Sequence, residues 1–339
     1  MNTDLMQRCH QTTLSQDTSN WMDHMMKVSE AVVFITGANR GLGLAIAREA
    51  RRQGAKKIYV GMRQIGSFQE EGLTPIQLDV NDEASIQQAA EQCADTTILV
   101  NNAGIALLNE HPVDASIITT TQKILETNLL GLIRLTQIFA PILQKNQQAY
   151  VVNILSDVSW EPSTVLTSYA ISKAAAWSYT NSSRQWLSQF NIQVMGVHVG
   201  FIDTDLTRSL RILKIAPETV AQEVFQGIEQ NAYEVLIGEK TQQLKQGLSA
   251  EVASYVKLKP DQDKWFKASA VQYSSLEIPG FIWTVDVKMN LLMFFSGRDR
   301  FDGGKGEMLI LLNALFPIVD EKGEKLDEGS LQRFLGEMV

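Results

Sequence analysis

Between Ala31 and about Tyr233 the chain alternates short β-branched runs with longer helix-periodic stretches, and this alternation limits the fold more than any other feature. Val32-Val-Phe-Ile35 reads as a buried strand, followed by a glycine-rich turn and a helix over Leu44–Gln53. Further strands are expected at Lys57–Val60, Pro75–Leu78, Thr97–Val100, Tyr150–Ile154 and Ile192–Val199. Helical periodicity covers Ala84–Cys93, Thr120–Lys145 (with Pro141 kinking it) and Thr167–Phe190. Branched side chains favour the pleated, packed surface of a strand, whereas apolar residues recurring every three to four positions mark one face of a helix. Such alternation predicts an α/β fold, a doubly wound parallel sheet with helices on both faces, whose ligands bind beyond the carboxyl ends of the strands.

After about Pro260 the texture changes. Trp265–Ser274, Gly280–Met289 and Glu307–Leu312 read as strands separated by Pro279-Gly280, Asp302-Gly-Gly304 and Glu321-Lys-Gly323, without crossover helices. The expected organisation is therefore a main domain over 30–259 and a smaller, mostly antiparallel β-rich domain over 260–339. The first 29 residues are polar and Met-rich and lack the basic-then-apolar order of a signal peptide. They read as a disordered tail, with Met25 or Met26 as an alternative start.

Composition removes several function classes. A net charge of −8 argues against nucleic acid or an anionic membrane as partner. Cys9 and Cys93 are isolated, and His10, His24, His111 and His198 share no ligand spacing, so neither a disulfide scaffold nor a metal site is expected. Asp299, Asp302 and Glu307 lie near glycines but lack the spacing of a calcium loop and read as a solvated hairpin. No run approaches the roughly 18 apolar residues of a membrane span, and a cytoplasmic protein is expected.

Thr36-Gly-Ala-Asn-Arg-Gly-Leu-Gly43 follows the first strand and opens the first helix. Gly37, Gly41 and Gly43 permit close approach of backbone to a pyrophosphate, and the helix N-terminus adds N–H donors and positive potential. This is the phosphate turn of a Rossmann-type sheet. A ribose-binding acid is expected about 20 residues on, after the second strand; Gly61-Met-Arg63 stands there instead. Arg63 and Arg40 suit a 2′-phosphate through charge-assisted hydrogen bonds, which selects NADP(H).

Tyr169 and Lys173, in Ser168-Tyr-Ala-Ile-Ser-Lys173, are spaced i and i+4 and share a helix face. An ammonium beside a phenol is expected to lower the phenol's pKa from about 10 and make it a usable proton donor. Ser156 precedes Tyr169 by thirteen residues.

With these motifs in this order, the chain resembles the short-chain dehydrogenase/reductase family from about Ala31 to about Lys259. The resemblance implies that Gly37, Asn39, Arg40, Gly41, Leu42 and Gly43 form the cofactor loop and that Asp79 and Val80 border the adenine. It places Asn102, Ala103 and Gly104, within Asn101–Gly104, along the cofactor, and Gly200, Ile202 and Thr204 at the nicotinamide carboxamide. Asn128, Ser156, Tyr169 and Lys173 match the catalytic positions. In the implied mechanism hydride passes between C4 of the nicotinamide and a carbonyl carbon. Tyr169 donates the proton, Ser156 polarises the carbonyl, Lys173 also holds the nicotinamide ribose, and Asn128 positions a water linking Lys173 to solvent. Val199 and Leu155 depart from the residues usual before Gly200 and Ser156, but neither removes a reacting group. Asp157 reads as a turn residue.

Apolar residues in Ile105–Leu108, Trp160–Leu166 and Leu206–Ile215, among them Trp160, Leu206, Leu210 and Leu213, are expected to line the pocket and favour a hydrophobic carbonyl or alcohol. Arg208, Arg211 and Lys214 read as a solvated face. Family members pair the Tyr–Lys helix with its copy, so a homodimer or homotetramer is expected. Phe281-Ile-Trp283, Gly297–Gly304 and Leu331–Glu337 resemble part of an uncharacterised bacterial family that continues beyond this chain, so that domain is expected to be incomplete. Two other readings compete with the reductase. One is an epimerase or dehydratase on a nucleotide-linked sugar, disfavoured by the glycine spacing. The other is a cofactor-sensing scaffold whose C-terminal domain binds a partner or lipid, disfavoured by the intact Ser156, Tyr169 and Lys173.

Overall fold

The five residues of β1 (Val32–Thr36) are all buried, as a strand covered on both faces requires. Side chains alternate across a strand, so Val33 and Ile35 enter one core while Val32 and Phe34 enter the other. A computed structural model of the protein describes residues 26–109, 111–208, 210 and 212–257, and the strands 275–278 and 281–284. The chain divides into two compact units, 1–270 and 271–339.

The first unit is built on one seven-stranded parallel sheet of order β3-β2-β1-β4-β5-β6-β7. Its strands are β1, β2 (Lys57–Met62), β3 (Thr74–Gln77), β4 (Ile98–Asn101), β5 (Ala149–Ile154), β6 (Ile192–Val199) and β7 (Glu234–Ile237). Its helices are α1 (Gly41–Arg52), α2 (Glu83–Gln92), α3 (Ile117–Leu125), α4 (Gly131–Leu143), α5 (Thr167–Leu187), α6 (Pro217–Glu229) and α7 (Glu239–Gln246). One core contains apolar residues of α1 and α6, and the other contains those of α2 and α4, where Phe34 stacks on Phe139 with centroids 4.9 Å apart. β3 carries Pro75 and pairs only with β2, consistent with proline's confinement to sheet edges. Strand order reverses between β1 and β4, so the crevice where a ligand binds opens there.

Three expectations need correction. The stretch expected as one helix from Thr120 to Lys145 begins at Ile117, ends at Leu143, and is interrupted by a π turn over Glu126–Leu130. A π turn inserts one residue into the ladder, which no hydrophobic period announces. Within the stretch 1–29 expected as a disordered tail, Val28 opens a 3₁₀ turn (Val28–Glu30) and is buried in the core, while residues 1–25 lie outside the described residues. β7 was not anticipated, because Glu234-Val-Leu-Ile237 is too short to show a period; it completes the sheet beside β6.

In the second unit β8 (Ser275–Ile278) and β9 (Phe281–Thr284) form an antiparallel pair, with Ser275 opposite Thr284 and Ile278 opposite Phe281. The strands expected at Trp265–Ser274 and Glu307–Leu312 and the carboxylates Asp299, Asp302 and Glu307 lie outside the described residues.

Candidate active site

The glycine turn is shaped by what surrounds it. Gly37 and Gly41 have φ of +65° and +56°, a region L side chains rarely adopt. A Cβ on Gly43 would lie 2.5 Å from the Gly37 carbonyl oxygen and 2.6 Å from Asn102 Nδ2, so helix and turn pack closer than any side chain allows. Asn102 locks the turn from the neighbouring strand: its Nδ2 donates to the carbonyls of Thr36 (2.8 Å) and Gly37 (3.2 Å). The Thr36 hydroxyl accepts from the amides of Asn102 and Ala103, both at 3.0 Å. Arg40, extended at φ −164°, precedes α1 without capping it, so no side chain occupies the first-turn amides.

Arg40 and Arg63 hang from the carboxyl ends of adjacent strands. Thr36 pairs with Gly61, and Ala38 donates to the Gly61 carbonyl at 3.2 Å. Both arginine side chains are exposed, and Arg40 reaches Asp205 at 3.3 Å. Asp79 accepts from the Asn81 amide at 3.0 Å, and Val80 is buried beneath Gly131. Asn39 and Gly104 lie exposed on the same rim, whereas Leu42 is buried in the core.

Beyond β6, Gly200, Ile202 and Thr204 curl back toward the glycine turn, and a Cβ on Gly41 would touch Thr204 Cγ2 at 3.4 Å. Thr204 and Thr207 form a reciprocal capping box, and the Thr207 hydroxyl also donates to the Ile202 carbonyl. Gly41, Asp203, Thr204, Asp205 and Arg208 enclose a cleft of about 390 Å³. Uncapped helix amides, glycines in positive φ and this cleft together fit the phosphates of a dinucleotide.

The groups expected to react converge at the end of β5. Ser156 caps a 3₁₀ turn, its Oγ accepting from the Val158 amide at 3.3 Å and donating to Asp157 Oδ1 at 3.2 Å. Lys173 Nζ donates to the Ile154 carbonyl at 2.8 Å and lies 5.6 Å from the Tyr169 ring centroid. Val158, Val165, Leu166, Phe201 and Leu210 form an apolar wall against Tyr169. Burial, reinforced by the charge of Asp157, pushes the Tyr169 phenol well above its ordinary value, and the nearby Ser156 hydroxyl only partly opposes it. Burial likewise holds Lys173 down to about 8. The expected lowering of the phenol by Lys173 is therefore corrected. In this arrangement desolvation outweighs the neighbouring amine, which is itself spent on a main-chain carbonyl.

Asn128 sits in the π turn, buried, with both amide atoms engaged. Its Oδ1 accepts from the Ile105 amide (2.8 Å), and its Nδ2 donates to the Ile105 carbonyl (2.9 Å) and Ser172 Oγ (3.0 Å). It clamps the loop after Gly104 to α5, one residue from Lys173.

Some sequence readings fare differently. Asp157 does lie in a turn, yet it is 5% exposed, accepts from Ser156 Oγ at 3.2 Å, and faces Lys240 at 4.0 Å. Burial raises its pKa, with Lys240 opposing. Its departure from an ordinary turn residue is invisible without β7 and α7. Trp160, expected at the pocket, is buried and stacks on His198 with centroids 4.0 Å apart. Lys214 is not a solvated residue; it is largely covered beside Asp203 at 3.4 Å, whereas Arg208 is exposed. Leu206 and Leu213 are exposed at the rim. Arg211 lies outside the described residues. Among the described residues no cluster of His, Cys, Asp and Glu could hold a metal ion, and no helix is long and apolar enough to cross a membrane.

A parallel sheet with a glycine turn at its switch point and a Ser–Tyr–Lys cluster two strands away defines a Rossmann-type oxidoreductase. The comparisons agree: residues 31–213 match the short chain dehydrogenase family, and the chain belongs to it. Residues 233–339 match a family of unknown function (DUF6544). Over 248 residues the chain is 29% identical to the 3-oxoacyl-[acyl-carrier-protein] reductase MabA of Mycobacterium tuberculosis, covering 70% of this chain and 89% of that protein. It is 26% identical over 197 residues to an NADP-dependent 3-hydroxy acid dehydrogenase of Schizosaccharomyces pombe, 54% of this chain and 76% of that one. A short chain dehydrogenase from Burkholderia cenocepacia J2315, crystallised in complex with NADP, superposes with a TM-score of 0.63 at 30% identity, covering 67% of this chain and 95% of that chain.

Proposed function

We propose that this protein is an NADP(H)-dependent reductase of hydrophobic carbonyl compounds, working as an alcohol dehydrogenase in reverse. The observation that carries the reading is the convergence of Ser156, Tyr169 and Lys173 at the carboxyl end of β5, against an apolar wall. When bound, NADPH supplies the hydride. The chain's own groups supply the rest. Tyr169, kept protonated by burial, is the proton donor to the substrate oxygen. Ser156 and Tyr169 offer hydroxyls to the negative charge developing there. Lys173 is the candidate contact to the nicotinamide ribose, and Asn128 fixes the floor of the site through Ile105 and Ser172.

Arg40 and Arg63 support the choice of NADP(H), and the NADP complex of the Burkholderia relative and the NADP-dependent yeast relative point the same way. The apolar wall of Val158, Leu166, Phe201 and Leu210 supports a hydrophobic substrate. Ile171 and Trp186 are exposed on α5 and support assembly through that helix as a dimer or tetramer. In this reading residues 30–259 are the catalytic domain, 260–339 a domain of unassigned role, and the cytoplasm the place of action.

NADPH oxidation with a panel of aliphatic and aromatic carbonyls tests the proposal. Turnover with the wild type and its loss in Tyr169→Phe, at unchanged NADPH affinity, is the expected result. Unchanged turnover in Tyr169→Phe sinks it.

A further inference from the structure

Behind the Ser156 turn lies a buried polar cluster that the reaction does not use. The His198 ring on β6 is fully buried, and its Nδ1 lies 3.2 Å from the Ser156 carbonyl oxygen. A carbonyl only accepts, so Nδ1 carries the hydrogen in that contact. The same carbonyl accepts from the Ser159 amide at 3.1 Å, which closes the 3₁₀ turn. His198 is stacked at 22° on Trp160, so the ring holds the turn at its first residue and just past its last.

Glu234, on β7, lies beyond the ring. Its Oε1 lies 3.7 Å from His198 Nε2 and accepts from Trp177 Nε1 at 3.3 Å. Its Oε2 accepts from Lys245 Nζ at 2.6 Å, and that ammonium lies over the Trp160 and Trp177 rings at 5.0 and 5.6 Å. Contact with His198, and then with Lys245, holds the Glu234 carboxyl at about 2 despite burial. Trp177 belongs to α5, the helix that carries Tyr169 and Lys173. One carboxylate thus joins α5 and α7 behind the Ser156 turn.

We propose that His198, held in place by its stacking on Trp160, is a positioning residue for Ser156: it fixes the main chain that carries the serine hydroxyl. The inference rests on the reductase reading of Ser156 and goes beyond it. Both Glu234 and Lys245 lie after residue 213, where the short chain dehydrogenase match ends, and inside the stretch matched by the family of unknown function. That stretch therefore begins within the reductase unit.

Two substitutions in the full-length protein separate positioning from packing. His198→Asn keeps an N–H donor where Nδ1 stands, whereas His198→Leu fills the space without one. Amide hydrogen exchange over 156–160 is read alongside kcat and KM for carbonyl reduction. In His198→Leu, exchange there is expected to rise about tenfold and kcat to fall about tenfold, with NADPH affinity unchanged. In His198→Asn both stay within about threefold of wild type. Equal effects of Leu and Asn, or unaltered exchange in His198→Leu, overturn the proposal. Exchange decides the matter even if the wild type reduces no carbonyl, a result that would count against the reductase reading alone.

Discussion

Lys173 Nζ donates to the carbonyl of Ile154, the last residue of β5, at 2.8 Å. The amine is thereby anchored to the strand that ends beside Ser156, and burial lowers it to about 8 from the ordinary value near 10.4. A base with a depressed folded pKa binds fewer protons folded than unfolded between those values, so folding stability contributed by Lys173 rises from about pH 8 toward about 10.4. Melting temperatures of wild type and Lys173→Met across pH 7–10 should show this rising component in the wild type only. Parallel curves would refute it.

Asp157 shows the opposite sign. Burial raises its carboxyl, so the folded state favours the protonated form. Stability then falls as pH rises from the unfolded value near 3.9 through the raised one, and the cost persists at neutral pH. Lys240, Glu161, Ser156 and Tyr169 act on or accompany this carboxyl, and only Lys240 brings a compensating positive charge. Asp157→Asn should melt a few degrees above wild type at pH 7, and the gap should close toward pH 4. Removing the charge should also shift the pH profile of turnover downward, because Asp157 helps to push Tyr169 up. A variant melting at or below wild type at pH 7 contradicts this account.

Asn128, itself buried, satisfies the amide and carbonyl of half-buried Ile105 and the buried Ser172 hydroxyl with one side chain. In Asn128→Ala the Ile105 amide and carbonyl and the Ser172 hydroxyl lose them, at a cost of about 3 kcal/mol. Asn128→Asp keeps the acceptor for Ile105 N–H but turns a negative oxygen toward the Ile105 carbonyl, so it should be no better. Chemical denaturation measures both, and a loss under about 1 kcal/mol in the alanine variant would show that water replaces the amide.

Arg40 and Arg63 stand at the ends of paired strands, with exposed guanidinium groups. Replacing either by alanine should weaken NADPH binding about tenfold, the scale of one charge-assisted contact, and leave NADH binding unchanged. Equal losses for both cofactors in a binding titration would assign the arginines to the shared pyrophosphate.

Much of this was legible in one dimension because it is local. Strand–helix alternation specified the parallel sheet, and the spacing of Gly37, Gly41 and Gly43 between β1 and α1 specified the turn, since positive φ and close packing admit only glycine there. The i, i+4 spacing put Tyr169 and Lys173 on one helix. What they do electrostatically was not local. The amine goes to Ile154, and desolvation, which depends on every element packed around the phenol, moves Tyr169 up instead of down. Likewise Asp157, a turn residue in the sequence, becomes a buried carboxylate facing Lys240, and His198, isolated in the sequence, meets Ser156 and Glu234. Sequence periodicity encodes which element forms and which face is apolar. Burial, tautomer and charge partners are set by long-range contacts, and those exist only once β5, β6, β7 and α7 have come together.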